Sequence, residues 1–246
     1  MVITGAIRSV AIILLTFAGS LAACLCGVVG SPPGTPAKVM AWWGRCFIRI
    51  GGWRVRTEGL EHLPEGGAIL VSNHQSLVDI PLFLSAFRKE IKFLAKRELG
   101  EIPLFGKAMA YAGNLFVDRE DPRDSLHLMR EAVRRIRKGE VVVIFPEGTR
   151  SADGTIGEFK PGAFYLAQKA GVPVLPVYID GGRRALPKGS LIFRPADMVV
   201  RVLEPLVFSA GMPLSRQEIA EEARRRILSA REEAEAGPSS GAPSRE

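Results

Sequence analysis

Apolar and charged positions divide this chain into two regimes. Residues 9–37 contain no Asp, Glu, Lys or Arg. Within them, residues 10–29 approach the ~20 apolar residues that a helix needs to cross a hydrocarbon layer. A second, less pure segment covers residues 39–50. Its Trp42 and Trp43 suit the headgroup zone, and Arg45 and Arg49 can snorkel to water.

From about residue 53 to 208, short apolar runs alternate with amphipathic ones. Residues 67–72 predict a buried strand ending at Asn73 and His74, followed by a helix at 80–87 and a strand at 91–95. A helix at 104–112 closes at Gly113, and a strand follows at 114–117. Residues 123–138 predict the clearest helix, because Leu126, Met129, Val133 and Ile136 recur at three- and four-residue steps. Val-Val-Val-Ile-Phe at 141–145 predicts a fully buried strand. A helix at 162–170 is capped by Gly171, and a strand follows at 172–179. Residues 191–206 predict one or two more strands. Ser215 and Glu218 spell a capping box that opens a last helix to about Arg231. Strands alternating with helices imply an α/β fold, with a mixed, mostly parallel sheet flanked by helices. The expected organisation is a membrane-anchoring pair of helices at 1–52, an α/β domain at 53–231 and a disordered tail at 232–246, where Glu, Ala, Gly, Pro and Ser offer little to bury.

Charge adds a direction. Only Arg8 precedes the apolar run, whereas Lys38, Arg45, Arg49, Arg54 and Arg56 follow it. The positive-inside bias then places the downstream domain on the cytoplasmic side of the cell's inner membrane. It disfavours both a cleaved signal peptide and a lipoprotein signal at Leu21-Ala22-Ala23-Cys24, each of which would export that domain. The net charge of +7 suits anionic lipid or phosphorylated substrates. With no recognition module and no basic run interleaved with aromatics, nucleic acid is not an expected partner. The three cysteines, Cys24, Cys26 and Cys46, form no metal-type or disulfide pattern and read as reduced structural thiols.

Three polar clusters stand at predicted strand ends, where active residues of such sheets gather. In the first, His74 is followed by Asp79. A His in the turn and an Asp in the next helical turn form the base and orienter half of a triad; the bland alternative is a solvated His beside a helix-capping Asp. No GxSxG elbow exists, and Ser72 and Ser76 read as caps more readily than as nucleophiles. His74 would then activate a hydroxyl of the substrate itself. The second cluster, residues 113–119, ends in Arg119. The third, residues 145–151, reads Phe-Pro-Glu-Gly-Thr-Arg-Ser. The guanidinium groups of Arg119 and Arg150 offer bidentate donors for phosphate. Gly148 permits close backbone approach, and Glu147 can accept from a glycerol hydroxyl. Lys96 and Lys160 either add phosphate charge or are solvated loop lysines. His62 and His127 read as surface residues. No two histidines share ligand spacing, so no metal site is expected.

Taken together, these clusters resemble the glycerolipid acyltransferase family that makes phosphatidic acid from lysophosphatidic acid. His74 and Asp79 match its HxxxxD block, 113–119 its second block, 145–151 its third, and the Val-Pro-Val-Leu-Pro-Val run at 172–177 its fourth. The resemblance implies that His74 is the general base and that Asp79 orients it. It implies that Arg119, Glu147, Gly148, Thr149 and Arg150 grip the phosphoglycerol head, with Lys96 and Lys160 as further candidates, and that 172–177 supports acyl binding or the sheet beneath. It also implies an acyl-CoA or acyl-carrier protein donor, membrane lipid as the medium, and no cofactor or metal. Open alternatives are another lysolipid or glycerol 3-phosphate as acceptor, hydrolysis by a thioesterase or phosphatase, and a catalytically inactive lipid-binding protein.

Overall fold

The computed structural model describes residues 2–118, 122–207 and 215–236. The chain opens with helix α1 (Val2–Val28) and, after a Pro-Pro-Gly turn, helix α2 (Thr35–Gly51). Strand β1 (Arg54–Glu58) and a short 3-10 turn (Leu60–His62) lead to β2 (Ala68–Ser72) and α3 (Asp79–Ala86). Next come β3 (Ile91–Lys96), the single-turn α4 (Arg97–Gly100), α5 (Phe105–Tyr111) and β4 (Leu115–Val117). Helix α6 (Pro122–Arg137) feeds β5 (Val141–Ile144), and a loop precedes α7 (Gly162–Ala170). The remainder is β6 (Val174–Asp180), the short α8 (Gly182–Ala185), β7 (Asp197–Val202) and α9 (Arg216–Ala236).

The strands form one sheet in the order β1-β7-β6-β2-β5-β3-β4. Every pairing is parallel except β6 with β7. The mixed, mostly parallel α/β architecture is therefore as expected, and β2 and β5 lie side by side at its centre. Side-chain alternation assigns the two faces. Leu70, Val143 and Leu175 point into a core shared with α1, α2 and α3, while Ile69, Val142 and Val174 point into one shared with α6, α7 and α9.

Two local expectations change. Within 191–206 one strand forms, β7, inside the expected one or two, and the backbone before it is engaged elsewhere: Phe193 N–H donates to Ser9 Oγ, Arg194 N–H to the Ala185 carbonyl, and the Arg194 carbonyl accepts Trp53 Nε1–H. Pro195 has no N–H for a ladder. The capping box at Ser215 and Glu218 forms as expected. Helix α9, however, continues to Ala236 rather than Arg231, carried by the i,i+4 pair Arg231–Glu235 and by Arg201 reaching Glu233. The expected disordered tail thus begins inside a helix, and residues 237–246 lie outside those described. Trp43 also departs from its expected place at the headgroups. It is buried at 3% exposure while Trp42 is 51% exposed. Its Nε1–H donates to Thr16 Oγ1 at 3.2 Å, and its ring packs edge-on against Phe47 and Phe105.

These contacts fix how α1 lies. Near its start, Ser9 holds Phe193; near its end, Cys24 Sγ contacts the Leu104 carbonyl at 3.5 Å. A Cβ on Gly27 would sit 2.2 Å from the Tyr111 ring, so only glycine admits that approach. The helix runs along the α/β domain rather than projecting from it, and its outward face (Ile7, Val10, Leu14, Phe17, Leu21 and Val28) is exposed and apolar.

Trp43 joins α1, α2 and α5. Trp43→Ala should therefore cost roughly 3–5 kcal/mol and Thr16→Val only about 1 kcal/mol, measured by unfolding of the full chain in detergent. An unchanged midpoint for Trp43→Ala would show that the helix pair is held by other contacts.

Candidate active site

The parallel strands β2 and β5 end at the same edge of the sheet, and the first and third polar clusters leave from those ends. After Ser72 the chain turns through Asn73 to Gln75 and enters α3 with Asp79 as its first residue. The turn is wound around the Asp79 carboxylate. Oδ2 accepts the backbone N–H of Gln75 at 2.7 Å, that of Ser76 at 2.9 Å, and His74 Nδ1 at 2.7 Å. A carboxylate can only accept from the ring, so the neutral imidazole carries its proton on Nδ1 and leaves the Nε2 lone pair free. Asp79's side chain is 1% exposed and that of His74 16%, so the pair is sealed on the carboxylate side and open on the other. The other carboxylate oxygen, Oδ1, is buried with no hydrogen-bonding partner among the described residues. Gly182 abuts it, where a Cβ would stand 2.4 Å away.

Neighbouring elements lock this turn. Asn73 brackets the Ile179 peptide of β6, donating from Nδ2 to its carbonyl and accepting its N–H, both at 2.9 Å. Ser76 Oγ donates to the Leu186 carbonyl at 2.8 Å, and Ser72 Oγ to the Asn73 carbonyl at 3.1 Å. Both serines are fully buried, so neither hydroxyl is available as a nucleophile. The Phe145 ring lies flat on the His74 imidazole, 4.0 Å between centroids and 14° from parallel.

The third cluster turns tightly: Gly148 N–H donates to the Phe145 carbonyl, and Gly148 adopts φ +76°. Glu147, one residue earlier, faces inward. Its Oε1 accepts His74 N–H and its Oε2 accepts Gly157 N–H, each at 2.9 Å. Ser151 N–H returns a bond to the His74 carbonyl at 2.8 Å. The two loops are thereby stitched into one unit. Burial pushes the Glu147 carboxyl above its ordinary range, opposed by those two amide bonds and by His74.

A cleft of about 270 Å³ opens over the imidazole, lined among others by Phe93, Lys96, Phe145, Gly148, Thr149 and Arg150. His74 and Arg150 thus face one space, and no ion pair or hydrogen bond occupies the Arg150 guanidinium among the described residues. Lys96 is exposed at the rim and paired with Glu98. Lys160 is tied by its N–H to the Pro146 carbonyl, but its side chain is exposed and does not line the cleft. Arg119 lies outside the described residues. The 172–177 run enters β6 in the sheet beneath the site, pairing with β2. His62, expected at the surface, is half-buried between the Val202 carbonyl and Glu204, whereas His127 is exposed. A larger apolar cavity of about 420 Å³ lies alongside, bordered by Ile13, Phe17 and Trp43 of the helix pair. It shares the lining residues Leu77, Ile80 and Leu99 with the cleft, so the two lie side by side.

The Acyltransferase family's sequence profile matches residues 54–180, which contain the two loops and the whole cleft lining; Gly182, Leu186 and the helix-pair residues Ile13, Phe17 and Trp43 lie outside it. The chain belongs to the acyltransferase family. It is 42% identical over 140 residues to an Arabidopsis thaliana chloroplast protein named 1-acyl-sn-glycerol-3-phosphate acyltransferase, covering 56% of this chain and 39% of that one. A protein of the same name from Saccharomyces cerevisiae is 30% identical over 213 residues, covering 81% of this chain and 68% of its own length. This acyltransferase spans about half, or less, of some curated relatives: 51% of a Brassica napus chloroplast relative and 39% of the Arabidopsis one. The crystal structure of the lysophosphatidic acid acyltransferase PlsC from Thermotoga maritima superposes with a TM-score of 0.72 at 29% identity, covering 94% of this chain and 99% of that one. In this acyltransferase the residues that sequence spacing left out are Asn73, Phe145 and Gly182. Asn73 and Phe145 stand at the heads of the first and third polar clusters, but their roles depend on β6 and on the imidazole plane; for Gly182 the Gly181-Gly182 pair after a strand was the available signal.

A carboxyl held above its ordinary pKa favours the fold in its protonated form. That contribution is present below the unfolded pKa and is lost as pH rises through the folded one. The stability of wild type relative to Glu147→Gln should therefore fall as pH is raised from about 4 toward neutrality, followed by denaturant unfolding at each pH. A difference that stays flat with pH would mean that burial does not perturb Glu147.

Proposed function

We propose that this acyltransferase moves a fatty acyl group from acyl-CoA or acyl-carrier protein to the free sn-2 hydroxyl of 1-acylglycerol 3-phosphate, giving phosphatidic acid. The observation that carries the reading is His74: its Nδ1 is fixed on Asp79, and the residue lines a cleft that Arg150 also lines. The printed names of the relatives point to the same acceptor.

In this reaction the acceptor's phosphate pairs with Arg150, with Arg119 and Lys96 as further cationic candidates and Gly148 and Thr149 at the cleft wall; Lys160, outside the lining, is not given that role. Glu147 serves mainly by holding the two loops in register, although each of its oxygens keeps a lone pair for a glycerol hydroxyl. The acceptor oxygen attacks the thioester carbonyl carbon as His74 Nε2 takes its proton. The tetrahedral intermediate then expels the thiolate, which regains that proton from the imidazolium and leaves as a free thiol. Burial of Ser72 and Ser76 supports direct transfer without an acyl-enzyme. The neighbouring apolar cavity suits an acyl chain, since its walls offer little but hydrocarbon. No cofactor or metal enters the scheme; the donor is a co-substrate.

The exposed apolar face of α1 supports seating in a membrane. Because both ends of α1 touch the α/β domain, we read it as lying in one leaflet, with the domain on the cytoplasmic side of the inner membrane and the cleft at lipid level.

Positioned general bases typically contribute ~10²–10⁴-fold. His74→Ala should lower acyl transfer to lysophosphatidic acid by at least that order while leaving membrane association intact. Arg150→Ala should raise the acceptor KM strongly and move kcat less. Each is read with radiolabelled acyl-CoA against a panel of lysolipids and glycerol 3-phosphate. Normal transfer by the His74 variant would remove it from the reaction, and a faster rate with another acceptor would reassign the substrate. Acyl release at equal rates without any acceptor would make the protein a thioesterase.

A further inference from the structure

Many arginines on the α/β domain are neutralised in place: Arg54 by Asp197, Arg135 by Glu140, Arg184 by Asp180, Arg231 by Glu235. The region around α2 differs. Lys38, Arg45 and Arg49 recur with Trp42 at three- and four-residue steps along its exposed face, and Arg88 projects from the turn after α3. Among the described residues none of these four cations has a carboxylate or hydrogen-bonding partner.

Three of them, Lys38, Arg45 and Arg88, line a groove of about 290 Å³ between α2 and the turn joining α3 to β3, with Ala41 on its wall and Phe87 in its apolar lining. Lys89 also borders the groove, but its ammonium is spent on the carbonyls of Pro64, Glu65 and Gly66 at 2.8, 2.6 and 2.8 Å. Glu90 is the only carboxylate in the lining, and Lys92 Nζ is bonded to it. The groove shares no lining residue with the catalytic cleft. It opens at the start of β3, whereas Lys96 at the rim of the cleft ends that strand.

We infer that this groove seats the phosphate headgroup of an anionic phospholipid, at a site separate from catalysis. Guanidinium groups match phosphate oxygens in geometry, and an apolar lining suits the glycerol and first methylenes below a headgroup. Charge complementarity selects lipid over other anions because the same helix pair carries the apolar face of α1 and the exposed Trp42, a residue suited to the headgroup layer. The inference rests on the membrane association proposed above, and its test separates the two.

The test is flotation of the purified full-length protein with vesicles of phosphatidylcholine, alone or mixed with phosphatidylglycerol. Wild type should float with both and bind the anionic vesicles more tightly. Lys38→Gln, Arg45→Gln and Arg88→Gln together should remove that gain, roughly fivefold per charge, while flotation with neutral vesicles persists. Ala41→Phe fills the groove without changing charge and should lose the same gain. Arg134→Gln with Arg225→Gln, at positions paired to Glu131 and Glu222, should keep it. Retention of the gain by Ala41→Phe would mean diffuse attraction and overturn the seat, as would retention by the triple variant. Displacement by inorganic phosphate alone, or lipid-free binding of an acidic carrier protein lost in the same variants, would also overturn it. Failure of wild type to float with neutral vesicles would sink the membrane reading instead.

Discussion

One carboxylate oxygen organises this site. Asp79 Oδ2 gathers three N–H donors, two from the backbone of its own turn and one from His74. An ionised oxygen holding amide donors in a dry place makes stronger bonds than neutral pairs do, and their directions are fixed by the peptide planes. The imidazole has little freedom left: one nitrogen is bound, one face is covered by Phe145, and only Nε2 looks outward. Glu147 repeats the device across strands, joining the turn after β2 to the loop after β5 through two more amide bonds. Two buried or half-buried carboxylates thus convert a pair of flexible loops into a rigid wall.

The parallel sheet makes that possible. Adjacent parallel strands end at one edge, so loops separated by some seventy residues meet without a long excursion. The supporting contacts come from the strand on the other side of β2, where Asn73 reads the Ile179 peptide and Gly182 leaves room for a carboxylate oxygen. Among the described residues that oxygen has no bonding partner, a local cost of desolvation. The tolerance is understandable because the same carboxylate's other oxygen is so heavily engaged.

The helix pair gives the site its setting. Held against the domain from Ser9 to Gly27, α1 contributes Ile13 and Phe17 to an apolar cavity that adjoins the cleft. A lipid acceptor in the proposed reaction could present its hydroxyl to His74 while its chain stays in an apolar environment. The cations of α2 would stand in the same layer as the headgroups.

Much of this was legible in the sequence by itself. Periodicity located β2, β3, β5, α6 and α7, because a strand buried on both faces and an amphipathic helix each leave a local signature. The spacing of His74 and Asp79 and the run from Phe145 to Ser151 marked the chemistry, since a turn followed by a helix can bring such residues together within one short segment. What the sequence alone left open depended on distant partners. Whether Glu147 faces substrate or backbone was decided by the amides of His74 and Gly157. Trp43 and Trp42 are identical in type and adjacent, yet only tertiary packing chose which one Thr16 and Phe105 would bury. Whether 191–206 would give one strand or two was decided by Ser9, Ala185 and Trp53, which hold the backbone at Phe193 and Arg194. Local pattern fixes which element a segment prefers; long-range hydrogen bonds and close packing decide which way its side chains face and what they hold.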